Sequence, residues 1–233
     1  MKGYQMITSW WAAGAVTAVL AVTATAQDGN QELQQKLAAF KEAVAQNQAA
    51  LRQYSWIQKT QLSRKGDVKS TKTESCHYGP DGRVQRTKVS EPAEQQKKGG
   101  GSALNEDLQD YMERTVSMIE RYVPPSLERL KSVAGQGNAA FRQTGADTIE
   151  LQFKDYVKKG DTVTFVLDLA AQRISRAIVN TYLAEEDKDA ITLTVDFQTP
   201  PDATNYPANK LLTVAAKQIV VKVDSSNYQK LAN

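Results

Sequence analysis

Cysteine and histidine are almost missing from this chain of 233 residues, which holds one of each, Cys76 and His77. A lone cysteine excludes an intrachain disulfide framework, whatever the redox state of its destination. One Cys and one His fall short of a zinc set unless carboxylates complete it, and neighbours on a strand point to opposite faces. The pair therefore reads as two inert strand residues, and no metal site is expected. An excess of charge of one sign is missing too. Lysine and arginine number 29 against 26 acidic residues, too even a balance to call for nucleic acid or an anionic membrane surface. No apolar run reaches the roughly 20 residues that a membrane-spanning helix needs. GxSxG, HExxH and dinucleotide-binding signatures do not occur. The glycine-rich "EQQKKGGGSAL" lacks the GxxxxGK[ST] order of a phosphate loop and reads as a flexible connection near residues 95–102. Glu185, Glu186, Asp187 and Asp189 cluster on an apparent hairpin loop, where solvation accounts for them. No catalytic residue and no cofactor is expected, and the chain is not read as an enzyme.

What is present begins with "WWAAGAVTAVLAVTATAQDGN", Trp10 to Asn30. Lys2 precedes a short apolar stretch that ends near Val22, and Ala24-Thr25-Ala26 follows before the chain turns polar. That order is the signature of a removable export signal, with an uncleaved anchor as the alternative. Cleavage after Ala26 is expected, with Val22-Thr23-Ala24 as a second site. No cysteine follows either cut, so a lipid-modified N-terminus is not supported. Residues 1–26 are thus assigned to a signal peptide and 27–233 to one domain, periplasmic or secreted. Without the leader Trp56 is the only tryptophan, and loss of Lys2 leaves 28 basic residues, a net charge of +2.

Hydrophobic periodicity gives the elements. Leu33, Leu37, Phe40, Val44 and Leu51 share one face of an amphipathic helix. At Tyr54 the period drops to two: Tyr54, Trp56, Thr60 and Leu62 point one way, and two polar strands follow around Lys65-Gly66-Asp67 and Pro80-Asp81-Gly82. Asn105 is placed to cap a second helix whose stripe is Leu108, Met112, Val116, Ile119 and Val123, ended by Pro124-Pro125. "SLERLKSVAGQG" is a third, shorter helix stopped at Gly135. From Asn138 onward alternating strands and short turns follow one another, which predicts antiparallel neighbours. The expected fold is α+β: one antiparallel sheet of about eight to eleven strands with its apolar face met by three helices.

"LAAFKEAVAQNQAALRQYSWIQKTQLSRKGDVKSTK" resembles the opening of the LolA-like periplasmic lipoprotein carriers and lipoprotein-sorting proteins. "VTFVLDLAAQRISRAIVNTYLAEEDKDAITLTVDFQ" is similar to their second half, and "YGPDG" at Tyr78 to Gly82 to exported bacterial members. The resemblance implies an incomplete, curved antiparallel barrel with helices in its concave face and an apolar cavity for acyl chains.

The candidate site is therefore an apolar cavity. Its expected lining is Trp56, Leu62, Leu108, Met112, Ile119, Ile149, Leu151, Phe153 and Phe165. Met112 and Met118 adapt to variable apolar shapes, and Gly99 to Gly101 supply a hinge before the helix that would act as a lid. The expected partner is an apolar ligand or a lipoprotein acyl chain, with no nucleic acid, with peripheral membrane contact compatible, and with the protein a monomer. The competing expectation is an envelope interaction or sensing module whose core is filled and which takes no ligand.

Overall fold

The computed structural model describes residues 31–89, 106–123, 125–186, 188–199 and 204–231. The leader 1–26, the segment 95–102, the Asn105 cap and Pro124 lie outside the described residues. Within them the chain runs α1 (Gln31–Leu51), β1 (Tyr54–Arg64), β2 (Asp67–Tyr78), β3 (Val84–Lys88), α2 (Glu106–Ile119) and α3 (Leu127–Gly135). It continues through β4 (Ala139–Gln143), β5 (Thr148–Lys154), β6 (Thr162–Asp168), β7 (Arg173–Tyr182), β8 (Ala190–Gln198), β9 (Tyr206–Val214) and β10 (Ile219–Lys230). The ten strands form one open, curved antiparallel sheet in the order β3-β2-β1-β10-β9-β8-β7-β6-β5-β4. Every pairing but one joins strands consecutive in the chain; the exception is β1 with β10, so the first meander is fastened to the rest by the last strand.

One face of this sheet is apolar because period-two alternation stays in phase across the six pairings that join β1 to β5. A transverse row of paired residues runs Leu62, Val221, Leu212, Leu193, Val179, Val163 and Phe153, from β1 to β5. All of them join a single core cluster. The three helices meet that face, through Val44 of α1, Leu108, Met112, Val116 and Ile119 of α2, and Leu130 and Val133 of α3. Spacings of three and four on α2 put its stripe on the sheet, as the sequence predicts. Val44 and Leu51 of the predicted α1 stripe are buried. A reciprocal pair, Asn47 Nδ2 to the Asn205 carbonyl (2.6 Å) and Asn205 N–H to Asn47 Oδ1 (2.5 Å), fixes α1 to the entry of β9. Ser126 caps α3 by accepting from Arg129 N–H. The helix ends one step later than the sequence suggests: Gly135 is still helical, and Gly137 takes the left-handed conformation at φ +79°.

What seats α2 and α3 is a buried carboxylate. Asp161, fully buried in the β5–β6 loop, accepts from the N–H groups of Tyr156 (2.5 Å), Val157 (3.0 Å) and Lys158 (2.8 Å). It also accepts from the Tyr122 hydroxyl at 2.6 Å, just beyond α2, and that hydroxyl lies 2.7 Å from Thr181 Oγ1 on β7. Tyr156 returns the link, its hydroxyl accepting from Ser126 N–H at 2.7 Å. Gly160, at φ +84°, supplies the left-handed step that brings Asp161 back over the loop.

Asp161→Ala leaves three backbone donors and a phenol without their acceptor and should cost about 3–4 kcal/mol, whereas Tyr122→Phe should cost about 1–2 kcal/mol. Urea denaturation of both variants checks the order, and equal losses would contradict a central role for the carboxylate.

Candidate functional site

The helix-covered face changes character along β1, one row at a time. Starting from the apolar row at Leu62, the next row pairs Thr60 with Lys72, Val223 and, through Val223, Lys210. The row after that pairs Gln58 with Glu74 and Ser225. Beyond it Trp56 pairs with Cys76, and Cys76 with Arg86. Successive rows are about 7 Å apart, two residues along a strand. Within about 20 Å, then, the face passes from wholly apolar to a cluster of cations, amides and aromatic rings.

The aromatic part is a wall. Trp56 stacks on Tyr228 with centroids 5.3 Å apart and planes 4° from parallel, and touches Tyr78 at 5.3 Å. Tyr206 lies 3.8 Å from Tyr228 on the other side. Burial pushes the Tyr78 phenol up to about 12 and raises that of Tyr228, so both stay protonated donors at neutral pH.

The polar part is unusual in what it leaves undone. Gln58 is fully buried, and neither its amide nitrogen nor its amide oxygen has a hydrogen-bond partner among the described residues. The indole Nε1 of Trp56 and the hydroxyl of Thr60 are buried in the same state. Each such atom costs about 1–3 kcal/mol if nothing answers it. Lys210 is 6% exposed on β9. Among the described residues the titratable groups that act on it are Arg86 and Cys76. Neither is anionic, because burial raises the Cys76 thiol pKa and keeps it neutral. Burial, and then the Arg86 charge, pull the Lys210 ammonium down to about 8. Glu74, the nearby acid, is engaged by Lys72 at 2.5 Å.

The sequence-predicted lining divides between two places. Leu62, Leu108, Met112, Ile119, Ile149, Leu151, Phe153 and Phe165 all enter the one core cluster. Trp56 stands apart from it, in the tyrosine wall. Cys76 and His77 point to opposite faces, the thiol fully buried and the imidazole exposed. Among the described residues no group of three or more His, Cys, Asp and Glu side chains comes together as a metal set. No described helix is long and apolar enough to cross a membrane. A polar groove of about 450 Å³ beside α3 is lined by Ser126, Arg129, Asp155 and Tyr156. Its groups already serve each other, Arg129 Nη1 donating to the Tyr156 carbonyl at 2.9 Å. Sequence reasoning misses Gln58, Arg86 and Lys210, although strand phase exposes two of them. Gln58 falls between Trp56 and Leu62 on the inward phase of β1, and Lys210 shares the inward phase of Leu212 and Val214.

The lysine gives a pH signature. Its folded pKa lies below its ordinary value, so between about pH 8 and 10.5 the unfolded chain binds the extra proton and stability rises with pH. Below pH 8 both states are protonated and the cost of the buried charge is fully present. Lys210→Met should therefore be more stable than the wild type by about 2–3 kcal/mol at pH 7, the gap closing as pH rises toward 10. Melting curves of the two proteins across that range check it. Tyrosine ionisation near pH 10 affects both alike and drops out of the difference.

No protein-family profile and no curated protein matches this chain. Solved structures do. A DUF1329 family protein from Desulfovibrio piger is 12% identical, with 83% of this chain and 92% of that chain covered and a TM-score of 0.40. A protein described as an outer membrane lipoprotein-sorting domain, from Vibrio parahaemolyticus, is 13% identical over 81% of this chain and 91% of that one, at a TM-score of 0.38. A LolA superfamily protein from Nitrosomonas europaea is 12% identical, with 82% and 93% covered and a TM-score of 0.37. Two of these three carry the descriptions that the sequence resemblance names.

Proposed function

We propose that this chain is an exported, non-enzymatic binding protein that holds an amphiphile (a lipid, an acyl chain or the lipidated end of a lipoprotein) on the helix-covered face of its sheet. One observation carries the proposal: the same face is apolar at the Leu62 row and polar at the Gln58 row, with buried polar atoms there that nothing described satisfies. An amphiphile has the matching order of parts. Its chain would lie against the valines and leucines of β9 and β10 and run toward the underside of α2, and its polar end would meet the Gln58 row. The expected cavity residues Leu108, Met112, Ile119, Ile149, Leu151, Phe153 and Phe165 are assigned to the apolar end, Leu62 to the middle and Trp56 to the polar end. Loading requires α2 to lift, which Met112 and Met118 ease by adapting to new apolar neighbours.

A second reading also has an observation in its favour. Leu108, Met112 and Ile119 are at most 3% exposed and pack directly into the core cluster. A filled core of that kind suits an envelope interaction module that takes no ligand.

Met112→Glu separates the two. If α2 is a lid, the wild type takes up a fluorescent fatty acid, the variant loses uptake, and its melting temperature falls little because the carboxylate reaches water. If the core is permanently filled, the wild type takes up nothing and the variant buries an unpaired carboxylate at a cost of several kcal/mol. Export is checked separately: protein recovered from the cell envelope should begin at Gln27, and an intact Met1 there would contradict cleavage.

A further inference from the structure

Three successive inward positions of β1 carry buried polar atoms that have no hydrogen-bond partner among the described residues. They are the Trp56 indole Nε1, both ends of the Gln58 amide and the Thr60 hydroxyl. Gln58 has no exposed surface, and Trp56 is 5% exposed. Inward positions lie about 7 Å apart along a strand, so the row of unanswered groups is about 14 Å long. Its two ends differ. Leu62 continues it into the apolar cluster, and Trp56 closes it against the Tyr228 and Tyr78 rings.

The neighbours of Gln58 decide which chemistry suits it. Opposite it on β2 stands Glu74, 3% exposed and held by Lys72, and opposite it on β10 stands Ser225. Residues directly opposite on antiparallel strands have Cβ atoms about 5 Å apart. An anion brought to Gln58 therefore meets a buried acid of like charge whose cation is already engaged. The buried Lys210 sits one row away on β9, with Val223 of β10 between it and Thr60. The Gln58 oxygen adds a second constraint, because it only accepts, and an ionised carboxylate brings no donor to it. We infer that Trp56, Gln58 and Thr60 form a neutral hydrogen-bonding rail for the uncharged linkage of an amphiphile, a carbonyl with a hydroxyl close by, as in a monoacylglycerol. Gln58 Nε2 donates to the carbonyl and Gln58 Oε1 accepts from the hydroxyl, with the Trp56 N–H and the Thr60 hydroxyl as further donors. The acyl chain then starts at Leu62 and follows the apolar row. Such a site rejects an analogue that lacks one of the matching groups, because its own buried group stays unpaired. The inference rests on the amphiphile reading, to which it adds the chemistry of the polar end.

The test titrates the full chain with three lipids that share one lauroyl group: monolauroylglycerol, methyl laurate and laurate. The wild type should bind monolauroylglycerol about tenfold more tightly than methyl laurate, which has the carbonyl without a hydroxyl, and than laurate, which is charged. Gln58→Leu removes the amide at similar volume, so its melting temperature should not fall, and it should bind monolauroylglycerol and methyl laurate alike. Thr60→Val keeps the shape and loses one hydroxyl; as the second variant it should reduce the preference about threefold. Equal binding of monolauroylglycerol and methyl laurate by the wild type leaves ordered water to answer these atoms and overturns the rail, while the amphiphile reading stands. Tightest binding of laurate, or a preference that survives both substitutions, has the same meaning. Binding of none of the three overturns the rail and the amphiphile reading together.

Discussion

The arrangement of this protein hangs on one carboxylate. Asp161 collects three backbone N–H groups of its own loop and the hydroxyl of Tyr122, and so joins the end of α2 to the β5–β6 loop and to β7. A loop of this kind would otherwise strand its donors in a dry interior, where each unanswered N–H is costly. The same loop supplies the Tyr156 hydroxyl that receives the first turn of α3. The angle at which both helices lie on the sheet is therefore set at one end by a hydrogen-bonded knot and elsewhere mainly by apolar contact, with Tyr111 of α2 also reaching Asp189 at 3.4 Å. Apolar contact has no direction, so the knot decides where α2 sits and what it covers.

The two ends of the covered face obey opposite rules. Under α2 and α3 the buried side chains are mostly apolar and belong to one cluster, with Asp161 and Thr181 as hydrogen-bonded exceptions. Around Trp56 and Lys210 the interior retains groups that an optimally stable protein would replace, since a buried charge exchanged for a hydrocarbon of similar volume is often stabilising. Sites of function are where local rules are broken with compensation supplied from elsewhere. In this chain the compensation available is the large apolar row shared by β1 and β5 to β10.

Much of this was legible in the sequence because the alternation is strong. Ile149, Leu151 and Phe153 against Glu150, Gln152 and Lys154 leave no choice of face, and the turns between β5, β6 and β7 announce themselves by glycine, aspartate and short polar runs. The stripe of α2 and the count of three helices follow from the longer period in the same way. Less was legible where residues break phase. Gln58 and Lys210 are polar residues on apolar phases, and a scan for apolar repeats passes over them. The role of Asp161 was hidden because a turn signal at Lys159-Gly160-Asp161 describes the bend but not what the carboxylate grips. The pairing of β1 with β10 has no local signature at all, for nothing in either segment names its partner.

That last pairing has a consequence for how the molecule is made. Strands β4 to β9 are joined by short hairpins and can assemble in the order in which they are synthesised, but β1 gains its second neighbour only after β10 exists. Until then the β1–β2–β3 meander must wait as a free unit, with Trp56 and Leu62 exposed to water and the edge of β1 open. Closing so long a loop carries an entropic cost before any contact rewards it, and topologies of this kind fold slowly. A waiting strand with an open edge is also a template for the wrong partner. The lysines of this meander, Lys59, Lys65, Lys69, Lys72 and Lys88, are then best understood through the interval before the fold closes. Lys59 lies on β1 itself, and charge on a waiting edge disfavours its pairing with a second copy.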